Sequence, residues 1–228
     1  MSPGMSRILG QQSLPASLGV ACCDGPHVAI VYLAEDFQNF RILHFAWDRD
    51  LRDEEYDIAT RQQYVCVVPN LHPAELVALA GYCRKIYRAN CAGANMPYNL
   101  QYEEGVYFDP DTGTFVIAQE ATGLSCATFV VHFFRTTGNP LLRASDWPKP
   151  SDEDISRQDK LAKMLLRSND LITKMHGRIA ETQVGCPRIR PEDVAGACLV
   201  DSIPAGFDES RSKGTVVMAL LMERAAAQ

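Results

Sequence analysis

The sequence predicts an α+β fold in which an antiparallel sheet packs on helices and a mainly helical region follows. Two β-rich apolar runs, residues 27–33 and 40–47, flank a short polar break, a pattern typical of a β-hairpin. Residues 73–88 carry apolar side chains at helical spacing, and a second helical run starts at residue 126. We therefore expect a sheet-and-helix core in residues 1–140 and a helical extension, packed on that core, in residues 141–228.

The hairpin carries two histidines, His27 in its first strand and His44 in its second. If the loop spans residues 34–37, Leu33 pairs with Gln38 and His27 pairs with His44. Their Cβ atoms would then be about 5 Å apart on one face of the sheet. Because an error of one residue in the loop would put them on opposite faces, the prediction depends on the register.

The remaining elements follow in order along the chain. Residues 64–68 read as a short buried strand, and His72 precedes a helix over 73–88, where a capping or surface role is expected. Residues 109–113 form a strong turn. Beyond residue 151 a helical pattern continues through Met175, His176 is expected to be solvated, and another helix starts at Pro191. The tail from residue 214 could be helix or strand.

The helix that starts at residue 126 holds the most informative side chain. Ser125 can cap it by accepting a hydrogen bond from an orphan backbone N–H, which places Cys126 in the first turn. There the helix dipole and unpaired amides favour an anion, so we expect them to lower the pKa of the thiol. Cys126 shares a stripe with Phe129 and Phe133, whereas His132 falls on the opposite side. The alternative is that Cys126 is a small buried hydrophobe, as many free cysteines are.

A thiol and two imidazoles supply what acyl transfer requires. One imidazole takes the thiol proton, and the second holds the first in the right tautomer. The sequence therefore predicts Cys126 as nucleophile with His27 and His44 as its partners.

The order of these motifs resembles a known family. A histidine opens an aliphatic strand, a second lies in the next strand, and a distant cysteine opens a Phe-Val helix. This arrangement is similar to the circularly permuted papain-like cysteine enzymes, which include NlpC-type amidases or peptidases and lecithin retinol acyltransferase-like enzymes. The resemblance covers about residues 18–140. It implies a papain-like core in which His27 is the base, His44 the polar orienter and Cys126 the nucleophile.

Two residues depart from the pattern of the acyltransferase branch. Many of its members have an asparagine before the cysteine and an acidic or polar residue after it, where this chain has Ser125 and Ala127. Ser125 is nevertheless a candidate substrate-binding residue beside the nucleophile. By resemblance, Tyr98 and Asn99 are candidates for the substrate wall, with an ordinary loop as the alternative.

These observations predict a cysteine hydrolase that cleaves an amide or peptide bond, possibly of peptidoglycan type, through an acyl-enzyme. Two alternatives stay open at this point: a lipid acyltransferase or thioesterase-like enzyme of the same superfamily, and a catalytically silent papain-like module that binds a partner. The expected partner is an amide, peptide or acyl-ester substrate, with no cofactor. The oligomeric state is left open.

Composition restricts the class of protein further. The formal net charge of −6 argues against an electrostatically driven nucleic-acid binder. The eight cysteines include no Cys-x-x-Cys pair, so we expect reduced thiols and no metal site. The longest apolar run of the tail, residues 215–222, is far shorter than the roughly 20 residues that span a bilayer. No secretory signal is visible near the N-terminus, so a cytoplasmic location is expected.

Overall fold

The computed structural model describes residues 16–35, 38–57, 63–91, 96–116 and 123–226. It is α+β, with a five-stranded antiparallel sheet in the order β4-β3-β2-β1-β5. The strands are β1 (Leu18–Cys23), β2 (His27–Leu33), β3 (Phe40–Trp47), β4 (Asp50–Glu55) and β5 (Tyr64–Val67).

Six α-helices accompany the sheet in the described part of the chain. They are α1 (Pro73–Asn90), α2 (Cys126–Thr136), α3 (Asp152–Leu166), α4 (Leu171–Thr182), α5 (Pro191–Ala197) and α6 (Phe207–Ala226). The α1 helix begins where predicted, and His72 caps it by accepting the Ala74 N–H at Nδ1, 3.3 Å away. The tail is helical. The pattern read as one helix through Met175 is two, because Asp170 caps a new helix by accepting the Thr173 N–H.

Two strands, β1 and β4, carry too weak a pattern to be predicted. The first five residues of β1 are all buried, and they show no alternation of polar and apolar side chains. Five of the six residues of β4 are charged, as is typical of an edge strand that avoids pairing with another chain. Cys22 and Cys23 are the last two residues of β1.

The hairpin between β2 and β3 differs from the predicted register by two residues. Leu33 pairs with Phe40, not with Gln38, and the described ladder ends where Ile30 pairs with Leu43. Residues 36–37 of its loop lie outside the described residues. Because a shift of two residues preserves the side-chain faces, His27 and His44 still share one side of the sheet, as diagonal neighbours rather than direct partners.

One apolar core joins the sheet to helices from both halves of the chain. Val28, Ile30 and Phe45 on one sheet face pack with Phe129 of α2 and with Val194 of α5 in a single buried cluster. The extension after residue 140 is thus packed on the core, sharing its hydrophobic interior. No helix in the described ranges is long and apolar enough to cross a membrane.

The interface of α4 with the core corrects the prediction for His176. This side chain is only 6% exposed, and its Nδ1 lies 2.7 Å from Oδ1 of Asp48. The same carboxylate accepts hydrogen bonds from the Thr173 hydroxyl and from the Tyr98 N–H, both at 2.8 Å. Asp48 therefore ties α4 to the turn after β3. The sequence around His176 gives no sign of its burial, because its partner Asp48 lies 128 residues earlier in the chain.

Candidate functional site

The start of α2 has the predicted capping arrangement. The Ser125 Oγ accepts the Thr128 N–H at 3.2 Å, and the Thr128 Oγ1 accepts the Ser125 N–H at 2.7 Å. This reciprocal cap fixes Cys126 as the first residue of the helix. Since N–H groups in the first turn have no intrahelical acceptor, the nucleophile candidate lies beside free amide donors.

The Cys126 thiol is in a less polar environment than the sequence suggests. The backbone N–H groups of Val28 and Ala127 lie near enough to its sulfur to lower the pKa of the thiol. Burial has the larger effect and raises the pKa of the Cys126 thiol above its ordinary value. The expectation of a lowered thiol pKa is therefore wrong for this structure, and Cys126 rests as a neutral thiol at neutral pH.

The two hairpin histidines form a hydrogen-bonded pair. Nε2 of His27 lies 2.9 Å from Nδ1 of His44, and the rings meet edge to face with centroids 5.0 Å apart. Burial, with a smaller contribution from His44, lowers the pKa of His27 from 6.5 to about 4. His27 is thus a neutral imidazole at neutral pH and can accept a proton.

The geometry of this pair determines which nitrogen can act as the base. His27 engages His44 through Nε2, so its Nδ1 is the ring nitrogen left for a proton transfer. A vacant lone pair on Nδ1 requires the resting proton of His27 to be on Nε2, where it is donated to Nδ1 of His44. In this tautomer His27 donates to His44 and keeps on Nδ1 a lone pair that can accept a proton.

Cys126 and His27 line the same cleft. Its volume is about 760 Å³, including the solvent-filled space at its opening. Ser125 and Tyr98 also line it, whereas Asn99 and His44 do not. His44 therefore contacts His27 from outside the lining of the cleft. Within the described part of the chain, no direct hydrogen bond joins the Cys126 sulfur to either imidazole.

Tyr98 lines the cleft, whereas its neighbour Asn99 has a structural role outside the lining. The Tyr98 ring packs against Phe45 and Trp47, with centroid distances of 6.3 and 5.0 Å. Asn99 is buried, and its N–H donates to the carbonyl of Leu124 at 3.1 Å. Asn99 therefore fixes the segment that holds Tyr98 in place, and the prediction that it contacts substrate gains no support from its position.

The C-terminal helices supply cleft residues that the sequence analysis missed. Arg157 and Gln158 of α3 and Arg188, just before α5, line the cleft beside Cys126. They belong to the region that the resemblance does not cover, and no local motif marks them. Only their position in the folded chain brings them to the site.

The other cysteines do not form a comparable site. All eight are free thiols, and Cys91, at the end of α1, is the exposed one. Among the described residues, no group of three or more His, Cys, Asp or Glu side chains is arranged to hold a metal ion. Cys126 differs from the rest in sharing a cleft with a neutral imidazole.

Comparison of the chain with protein-family models, with curated proteins and with solved structures found no match in any of the three. A function for the cleft is therefore inferred from its own residues and their geometry.

Proposed function

We propose that this protein is a cysteine hydrolase with a papain-like core, which cleaves an amide or peptide bond through an acyl-enzyme. Cys126 is the nucleophile, His27 the general base and His44 the residue that orients His27. The observation that carries the proposal is the position of His27, which lines the cleft of Cys126 and is hydrogen bonded to His44 at 2.9 Å.

The resting pair is uncharged, since burial raises the pKa of the Cys126 thiol and lowers that of His27 to about 4. The thiol proton therefore moves to Nδ1 of His27 as the sulfur attacks the carbonyl carbon, not before. The transfer requires the Cys126 sulfur and Nδ1 of His27 to come within hydrogen-bond reach, directly or through one water, and such contacts commonly shorten when substrate binds. Nδ1 of His44 accepts a hydrogen bond from the Nε2–H of His27 throughout, which keeps the His27 ring in place.

The first turn of α2 supplies donors for the charge that develops on the substrate oxygen. The backbone N–H of Cys126 has no acceptor within the helix and points outward from its N-terminus. A tetrahedral intermediate on the sulfur would place its oxyanion near this donor and the positive end of the helix dipole. Ser125 contributes by fixing the turn through its cap with Thr128.

Collapse of that intermediate requires a proton donor when the substrate is an amide, and His27 can supply the proton. The carbon–nitrogen bond breaks, and the proton held on His27 passes to the departing amine, which cannot leave as an anion. Water then attacks the thioester while His27 takes its proton, and the carboxylic acid product leaves with Cys126 again a thiol. A single imidazole thus serves as base and as acid.

The proposal is tested by trapping the acyl-enzyme. The protein is incubated with p-nitrophenyl acetate, which transfers its acetyl group to sulfur and releases p-nitrophenol. Mass spectrometry of the intact protein and of its peptides should find one acetyl group, on Cys126. Cys126→Ala should give none, and the matched variant Cys91→Ala, which removes the exposed thiol, should be acetylated like the wild type.

Acetylation of Cys91 in preference to Cys126, or no thioester at all, would contradict the proposal. A panel of peptide amides and short-chain lipid esters then identifies the acyl donor. Faster acylation by the lipid esters would assign the cleft to lipid chemistry instead.

A further inference from the structure

The cleft carries positive charge although the protein as a whole is negative. Its described lining includes two arginines, Arg157 and Arg188, and no aspartate or glutamate. The chain has a formal net charge of −6. A positive cleft in an acidic protein favours the approach of an anionic substrate.

The two arginines differ in their partners. Arg188 donates to Oδ1 of Asp154 at 2.8 Å, and Arg190 donates to both oxygens of the same carboxylate at 2.8 Å. Arg188 is thus held by a structural ion pair. Arg157 is half-buried, and among the described residues no carboxylate lies within 4.0 Å of its guanidinium. Its charge is therefore available to a ligand.

Both guanidinium groups act on the residues of the proposed catalytic site. Burial raises the pKa of Tyr98, and the charges of Arg188 and Arg157 oppose this effect. Arg188 likewise lowers the pKa of the Cys126 thiol, against the larger effect of burial. Arg157 therefore lies close enough to the Tyr98 hydroxyl, on the wall of the cleft, for its charge to be felt there.

We propose that Arg157 binds a carboxylate of the substrate, a few bonds away from the carbonyl that Cys126 attacks. This inference rests on the proposed function and names its substrate class, an amide that carries a nearby carboxylate. One guanidinium that pairs with no carboxylate of the described residues balances one negative charge, and its planar fork matches the two oxygens of a carboxylate. Arg188, whose charge is already paired with Asp154, would have a structural role in the wall of the cleft next to the bound carboxylate.

The experiment measures how fast Cys126 is alkylated by pairs of probes that differ only in charge. Iodoacetate, N-iodoacetylglycine and N-iodoacetyl-β-alanine place a carboxylate at increasing distance from the reacting carbon, and each is compared with its neutral primary amide. The sulfur displaces iodide and forms a thioether, and the thiol proton passes to His27 or to buffer. Peptide mapping gives the rate at Cys126 and, as an internal reference, at exposed Cys91.

For each probe we take the ratio of the alkylation rate at Cys126 to that at Cys91. In the wild type we expect this ratio to be larger for the charged probe than for its neutral amide, by on the order of tenfold, in at least one pair. Arg157→Gln should abolish that preference, because it removes the charge and keeps a good helix former. Arg178→Gln, a matched change at an exposed position of α4, should keep it. Added salt should weaken the preference, since the attraction is electrostatic.

Equal relative rates for all three pairs in the wild type, or a preference that survives Arg157→Gln, would overturn the inference. So would a stronger preference for a probe that carries a phosphonate in place of the carboxylate. None of these results affects the acyl-enzyme test, which uses an uncharged acyl donor, so failure of the carboxylate site and failure of the proposed function are distinguishable.

Discussion

Two histidines of this protein, His27 and His132, are neutral at neutral pH, yet only one of the two lines the cleft of Cys126. Burial lowers the pKa of His27 to about 4 and that of His132 to about 3. His27 lines the cleft of Cys126 and is hydrogen bonded to His44. His132 is 1% exposed and stacks between Tyr102 and Tyr107, with ring centroids 5.0 and 3.6 Å away.

The surroundings of His132 are those of a core aromatic residue. Among the described residues, neither of its ring nitrogens makes a hydrogen bond of ordinary geometry, although the Gly105 backbone lies near enough to raise its pKa slightly. His132 therefore has neither a group that selects its tautomer nor access to a substrate. Burial alone is thus enough to make an imidazole neutral, whereas a base also requires an orienting partner and access to a cleft.

The difference between His27 and His132 is tested most strongly by replacing each histidine in turn. His27→Ala should slow acetylation of Cys126 by p-nitrophenyl acetate by about 10²- to 10⁴-fold, the usual contribution of a general base. His132→Phe should leave the rate close to wild type, because its ring does not reach the cleft. Its thermal stability should be equal or higher, since an apolar ring replaces two nitrogens that lack ordinary hydrogen bonds. A rate loss for His132→Phe as large as that for His27→Ala would remove the distinction.

A smaller effect is expected when only the orienting group is removed. His44→Ala leaves the base in the cleft but no longer selects its tautomer, so the acetylation rate should fall by about tenfold to a hundredfold, as for other partners that orient a functional histidine. The stopped-flow release of p-nitrophenol measures this rate. In His44→Gln the side-chain oxygen can again accept a hydrogen bond from the Nε2–H of His27, so this variant should recover part of the lost acetylation rate. A purely structural role for His44 would give no such rescue.

The sequence predicts the local parts of this site because their signals are local. Ser125 before an apolar run marks the start of α2, and the alternation in β2 and β3 places His27 and His44 on one face. The loop length carries no comparable signal, so the register was wrong by two residues. The contact between the histidines survived because the error was an even number.

The properties that the sequence does not predict depend on distant parts of the chain. The direction in which the pKa of Cys126 shifts follows from its burial in the folded protein, which outweighs the effect of the backbone N–H groups of Val28 and Ala127. His176 is buried by Asp48, and Arg157 reaches the cleft from the C-terminal helices. In each case the interacting groups are far apart in sequence, and no periodicity or motif connects them.

In the proposed mechanism the neutral imidazole of His27 activates the neutral thiol of Cys126. The pH dependence of Cys126 acetylation distinguishes this mechanism from reaction through a thiolate formed beforehand. The rate at this one thiol is measured by peptide mapping in the wild type and in His27→Ala. Because His27 is deprotonated above about pH 4, the wild-type rate should change little between about pH 5 and about pH 8, and should fall only as the pH approaches 4.

His27→Ala should instead show a rate that rises about tenfold per pH unit over the same range, as expected for a thiol that reacts only through its small thiolate fraction. If the wild-type rate instead rose as steeply with pH, parallel to that of His27→Ala, His27 could not be the base that activates Cys126.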